Sequence, residues 1–175
     1  MIFYNFISRI LFTFFQMINF IPLCLILSLA YGIVFYLKKK KFFVRKIILF
    51  FLFLLYFFTM IEVTGTFQAI ANIFTSGGYM APNLIPLIHG NPLQMILNVI
   101  LMLPMGIFLP LIFSNIHWTF SKIIGVGCFL ILLIETLQFF GGRCWDIDDV
   151  IMNLLGMSLG YLIYHFYSKS KKGQR

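Results

Sequence analysis

The chain has 175 residues, 61% of them hydrophobic and 10% charged, with 13 Lys and Arg against 5 Asp and Glu. A soluble domain carries about 25% charged residues, so a water-soluble core is excluded and the expected solvent is a lipid bilayer. The formal net charge of +8 does not indicate nucleic acid, because the positives stand at the ends of apolar runs rather than in a patch.

Met1 to Leu37 is mostly apolar and exceeds the roughly 20 residues that one membrane span needs. Asn5, Ser8, Arg9, Thr13 and Gln16 interrupt its first half, which predicts an interfacial or extended helical segment to about Met17 and a first span over Ile18–Leu37. A hairpin of two short spans turning near Asn19–Pro22 is the alternative. No basic stretch precedes the apolar run, so a cleaved leader is not expected, and Pro22-Leu23 before Cys24 is a poor lipidation signal. Cys24, Cys128 and Cys144 lack metal-ligand spacing and imply no disulfide framework.

Lys38–Lys41 with Arg45 and Lys46 form the main orientation signal and are expected on the cytoplasmic side. The second span is predicted at Lys46–Thr66, with Glu62 near its outer end as a carboxylate reaching water. Phe67–Pro92 carries no Asp, Glu, Lys or Arg and is punctuated by Gly77, Gly78, Pro82, Pro86 and Gly90, so it reads as an outer loop. Its apolar Leu84, Ile85, Leu87 and Ile88 allow it to dip toward the membrane under a cover of protein.

The third span is predicted at Leu93–Phe113, with Asn98 inside it and a kink at Pro104 and Gly106. Ser114–Lys122 is a short loop. The fourth span covers Ile123–Phe140, Gly141–Asp148 is a turn, and the fifth span covers Asp149–Tyr167. Five spans with the Lys loop inside give an N-out, C-in topology. That assignment leaves only Arg9 and Arg143, of the 13 positives, on the outside. The expected fold is therefore an all-α polytopic membrane helix bundle with about five transmembrane helices.

Four of the chain's five acids, Glu135, Asp146, Asp148 and Asp149, fall within fifteen positions. At about 1.5 Å rise per residue, Asn98, Glu135 and Asn153 lie at a common depth, roughly 6–9 Å below the outer interface. Glu135 and Gln138 share one helix face. Asp149, Asn153, Gly156 and Gly160 trace another, on which Gly156 and Gly160 allow close helix approach. A carboxylate at this depth needs a partner, and Arg143, just past the helix end, can reach Glu135 or Asp146–Asp149. Three readings follow. The group is a structural polar cluster, or a pocket for a lipid-linked ligand, or a site where Glu135 or Asp149 acts as a general base or hard-cation ligand. No resident metal and no cofactor is expected. His89 in the outer loop can approach the site; His117 and His165 fall on the cytoplasmic side without a role. Trp145 reads as an interface anchor.

Asn83-Leu84-Ile85-Pro86, Asn98, Leu103-Pro104-Met105-Gly106, Glu135-x-x-Gln138, Arg143, Asp146-Ile147-Asp148-Asp149, Asn153, Gly156 and Gly160 follow one another in order. This series resembles the VanZ-like family of small bacterial membrane proteins over about Asn83–Tyr164. The Leu before Pro104 departs mildly from the Phe or Ile more common there. The resemblance implies residues 83–167 as a VanZ-like core, preceded by a two-span region with its interfacial segment and outer loop (1–82) and followed by a basic cytoplasmic tail (168–175). It also implies a multi-pass bacterial cytoplasmic membrane protein and adds Asn83 to the site. The family's namesake is associated with low-level teicoplanin resistance. The ligand-binding candidates are then Asn83, Asn98, Glu135, Gln138, Arg143, Asp146, Asp148, Asp149 and Asn153, with Glu135 and Asp149 as catalytic candidates. The implied partners are the lipid bilayer and a lipid-linked wall precursor or glycopeptide-related ligand, with nucleic acid excluded. An enzyme acting on a lipid-linked or surface substrate is the alternative, and a transporter is disfavoured by the lack of an inverted repeat.

Overall fold

A computed structural model of the chain describes residues 2–39, 44–75, 80–86 and 91–173. Among the described residues there are six helices and no strand: α1 (Ile2–Lys39), α2 (Val44–Val63), α3 (Thr66–Ile73), α4 (Pro92–Ile112), α5 (Phe120–Phe140) and α6 (Ile147–Gly173). Five of these are long and apolar enough to cross a membrane, the spans being Phe15–Lys38, Val44–Val63, Pro92–Ile112, Phe120–Phe140 and Ile147–Lys171. Their outward faces are apolar: Ile100 on α4, Phe129 on α5 and Phe166 on α6 are 59%, 67% and 67% exposed. Hydrocarbon displayed on so many helices is unfavourable in water and is the normal surface of a protein solvated by lipid.

Two readings of the N-terminal half are decided by the structure. The helical segment expected up to Met17 joins the first span as one helix, and the alternative hairpin is absent, because α1 runs unbroken through Asn19 and Pro22. Pro22 removes one backbone hydrogen bond, but the straight-chain and aromatic residues around it keep the helix continuous. The stretch from Phe67 is also not all loop. Thr66, Ala69 and Ile73 recur at helical spacing, and Thr66 and Ala69 are buried, so a short helix forms before the Gly-Gly pair. His89, Gly77, Gly78, Leu87, Ile88 and part of the Lys run lie outside the described residues.

The chain divides into two compact units, residues 1–64 and 65–175. In the first, α1 and α2 form an antiparallel pair zipped by rings. Phe20 stacks on Phe58 at 5.6 Å and Tyr31 on Phe50 at 4.4 Å. Cys24 and Ser28 are buried between them, and the Ser28 hydroxyl is bonded to the Cys24 carbonyl of its own helix, so the hydroxyl is satisfied away from water.

In the second unit α4 and α6 run parallel and nearly touch backbone to backbone. A Cβ placed on Gly156 or Gly160 would collide with the carbonyls of Val99 or Leu103, and one on Gly106 would collide with the backbone of Met157 and Tyr161. Small residues from both helices therefore interlock, which in a membrane is the main source of helix association, since lipid offers no hydrophobic driving force between helices. Met105, Met157, Ile123 and Ile131 fill the buried space around this crossing.

Candidate functional site

The polar residues converge where α4 and α6 begin and α5 ends. Each helix terminus there is shaped by a local device. Asn91 accepts a hydrogen bond from the Leu93 N–H at 3.0 Å, and Pro92 opens α4 at the position where its missing N–H is not needed. α5 ends in a left-handed turn. The Arg143 N–H donates to the Gln138 carbonyl at 3.0 Å and the Gly142 N–H to Phe139 at 3.0 Å, with Gly142 at φ 88°. This is a Schellman cap, and the positive φ is why glycine stands at that position. The cap turns Arg143 back over the end of its own helix.

α6 begins with Asp146, whose carboxylate accepts from the Asp148 N–H at 2.9 Å. Asp148 and Asp149 occupy the first turn, where the exposed N–H groups and the helix dipole favour negative charge. The same Asp146 oxygen accepts from Asn83 Nδ2 at 3.2 Å. Asn83 is locked further by its backbone: its N–H donates to the Trp145 carbonyl at 2.8 Å, and its own carbonyl accepts from the Ile147 N–H at 3.1 Å. The segment around Asn83 is thereby clamped beside the start of α6 as an isolated parallel bridge.

Asp149 is the centre of the amide network. Asn98 Nδ2 donates to it at 2.6 Å, and Gln94 Nε2 reaches both its oxygens at 3.4 Å. Gln94 was not singled out from sequence, although it lies one helical turn before Asn98 on the same face of α4. Gln138 is directed elsewhere. It is buried and donates to the Thr66 hydroxyl at 3.0 Å, and Asn72 Nδ2 donates to the Gly141 carbonyl at 3.4 Å. Gln138 therefore anchors α3 against the end of α5. Thr66 and Asn72 are the residues that sequence reasoning missed here, and their only signal was the helical spacing of α3.

Glu135 is 4% exposed. Its carboxylate faces the backbone amide of Asp146 and interacts with the charges of Asp149, Arg143 and Asp146. Arg143 acts on Asp149 as well, and its guanidinium passes over Gly65 at the start of α3. An exposed cation thus stands within electrostatic reach of two carboxylates at the mouth. Asn153 lies one turn along α6 from Asp149 and is 6% exposed, and its Oδ1 has no hydrogen-bond partner. A buried acceptor left unpaired costs about 1–3 kcal/mol, so its place in an otherwise bonded cluster calls for a donor.

Beside the polar mouth lies an apolar groove of about 360 Å³, walled by Thr136, Phe139, Phe140, Pro82, Leu84 and Trp145. Trp145 therefore presents its ring to a groove next to the acids.

The VanZ/LLP1 family model matches residues 49–168 of the chain. No curated protein and no solved structure matches it.

Proposed function

The chain belongs to the VanZ/LLP1 family and is a multi-pass membrane protein, and on that premise we propose that it binds a lipid-linked molecule of the bacterial envelope at its outer face. The polar head of that molecule meets Arg143, Glu135, Asp149 and Asn153, and its hydrocarbon lies in the groove along Phe139, Phe140 and Trp145. The observation that carries this reading is the junction of an apolar groove with a charged mouth, which fits an amphiphile better than a soluble solute. The unpaired Asn153 oxygen supports it, since a hydroxyl or amide of the bound head would supply the missing donor. Asp146, Asn83, Asn98 and Gln94 hold this mouth in shape.

Handling of a wall precursor at this position would lower its exposure to glycopeptides, which gives the reading a cellular measurement. Deleting the gene should raise teicoplanin susceptibility, and Arg143→Ala should reproduce the deletion while the protein accumulates normally. Unchanged susceptibility after deletion would remove glycopeptide protection from the proposal.

The outward orientation has its own test. Cys144 is exposed next to Arg143, whereas Cys24 is buried. With Cys24 and Cys128 replaced by Ala, an impermeant thiol reagent should label Cys144 in intact cells. Labelling only after permeabilisation would place the mouth in the cytoplasm.

One observation favours a second reading, a membrane enzyme. Glu135 is buried and within electrostatic reach of both Asp149 and Arg143, an arrangement suited to moving a proton at a bound head group. Under this reading Glu135→Gln and Asp149→Asn abolish function while binding persists. Under the first, both effects scale with binding.

A further inference from the structure

The far ends of α4 and α6 build a second polar cavity, about 470 Å³ in volume, whose walls include Asn115, His117 and Trp118 from the α4–α5 connection and Tyr164, His165 and Lys169 from α6. It lies at the other end of the same helix pair from the carboxylates. Fifteen residues of α6 separate Asp149 from Tyr164, or about 22 Å at the helical rise. The two sites therefore sit at opposite ends of the spans.

The chemistry of the walls is one-sided. Among the described residues, the lining contains a Lys, two His, Ser and Asn side chains but no Asp or Glu. The acids of this unit are all gathered at the opposite end. A cationic ligand would find no counter-charge here, whereas an anion meets the Lys169 ammonium and the imidazole, hydroxyl and amide donors around it. Three backbone acceptors nearby are engaged. The Phe113 carbonyl takes the Trp118 indole N–H at 3.0 Å, the His117 carbonyl takes Lys122 Nζ at 2.8 Å, and the Trp118 carbonyl takes the Tyr161 hydroxyl at 3.0 Å. These bonds fix the rim and bring a second ammonium, that of Lys122, to the His117 side of the cavity.

The setting is that of a membrane surface. Trp118 and Tyr164 belong to the residue types that concentrate at the headgroup level. The adjoining Ile116, Ile163 and Phe166 are exposed apolar groups on which acyl chains can lie. We propose that this cavity binds a phosphate group presented at the membrane surface, held by Lys169, His165 and His117. Phosphate has the charge and the acceptor oxygens that such a donor set requires, and the exposed hydrocarbon next to the cavity fits the headgroup of an anionic phospholipid. The inference is independent of the site around Asp149.

The test uses the full chain, purified and placed in bilayer discs of phosphatidylcholine with phosphatidylglycerol, and the retained lipid is read by native mass spectrometry. The wild-type protein should retain phosphatidylglycerol in preference to phosphatidylcholine. Lys169→Gln combined with His165→Ala should reduce that preference about fivefold or more, the effect expected for losing a cation at an anionic surface. Lys169→Arg should keep it, which separates loss of the site from loss of the fold. Lys171→Gln should leave it unchanged, because Lys171 is stacked on Tyr167 rather than lining the cavity. Absence of any preference in the wild type overturns the proposal, as does an equal loss in Lys171→Gln, which would mean diffuse attraction by the basic end of the helix. Inorganic phosphate distinguishes the source. If it does not displace the retained lipid, the ligand is a headgroup. If it displaces the lipid and binds in lipid-free detergent, the same phosphate site serves a soluble compound.

Discussion

The two units of this protein are held together by different physics. In residues 1–64 two long helices meet through rings and aliphatic side chains, with Phe20 on Phe58 and Tyr31 on Phe50, and buried polar groups bonded within their own helix. In residues 65–175 the helices meet through glycine, backbone and amide. Gly106, Gly156 and Gly160 let α4 and α6 interlock, and Asn98 closes the pair at its start by bonding Asp149. Ring contacts tolerate substitution because side chains can repack, whereas a backbone-to-backbone contact leaves nothing to move. Close approach without slack is also what a site made of short polar side chains requires, since their atoms must meet within hydrogen-bond distance. The unit that carries the candidate site is accordingly the one built on glycine.

The sharpest way to break that contrast is at the crossing. Gly160→Leu should cost about 3 kcal/mol or more, seen as loss of folded protein in detergent melting curves. Gly125→Leu on α5, where a side chain would enter open space, should leave the melting curve nearly unchanged. Equal effects would show that the glycine contacts do not hold the unit.

Next in size is the bond between α4 and α6. Asn98→Ala should cost about 1–2 kcal/mol, and Asn98→Asp more, because it sets a carboxylate against Asp149. A double-mutant cycle with Asp149→Asn measures the coupling, and additivity would mean that the 2.6 Å contact contributes nothing. Asp146→Ala removes the cap of α6 and should cost about 1 kcal/mol, while Asp146→Asn keeps most of it. That comparison, read by thermal unfolding, distinguishes capping from charge. The smallest effect belongs to the ring-zipped unit. Tyr31→Leu should cost about 1 kcal/mol or less, since it loses the stacking with Phe50 but retains apolar bulk.

Most members of the polar cluster could be named from sequence because the chain is so poor in polar groups. In a background of hydrocarbon each Asn, Asp or Glu must find a partner inside the protein, so Asn98, Glu135, Asp149 and Asn153 announced themselves. What could not be read was who meets whom. Gln138 looked like a companion of Glu135 on one helix face, yet it turns to Thr66 and secures α3. Gln94 stands near a helix start, where amides are common and inconspicuous, yet it shares Asp149 with Asn98. α3 itself was hidden because eight helical residues are too few to stand out in a stretch dominated by breakers.

Composition and periodicity by themselves determined that this is an all-helical membrane protein with five spans and a polar cluster where three of them begin or end. Those properties follow from transfer free energy and helix geometry, which act on each segment alone. Only the tertiary structure decided that Asp146 caps α6, that Asn83 is clamped to it by backbone, and that the Oδ1 of Asn153 is buried without a partner. The bond between Asn98 and Asp149, fifty-one positions apart, depends on how closely the two helices approach. At the α4–α6 crossing, that approach is set by the glycine contacts.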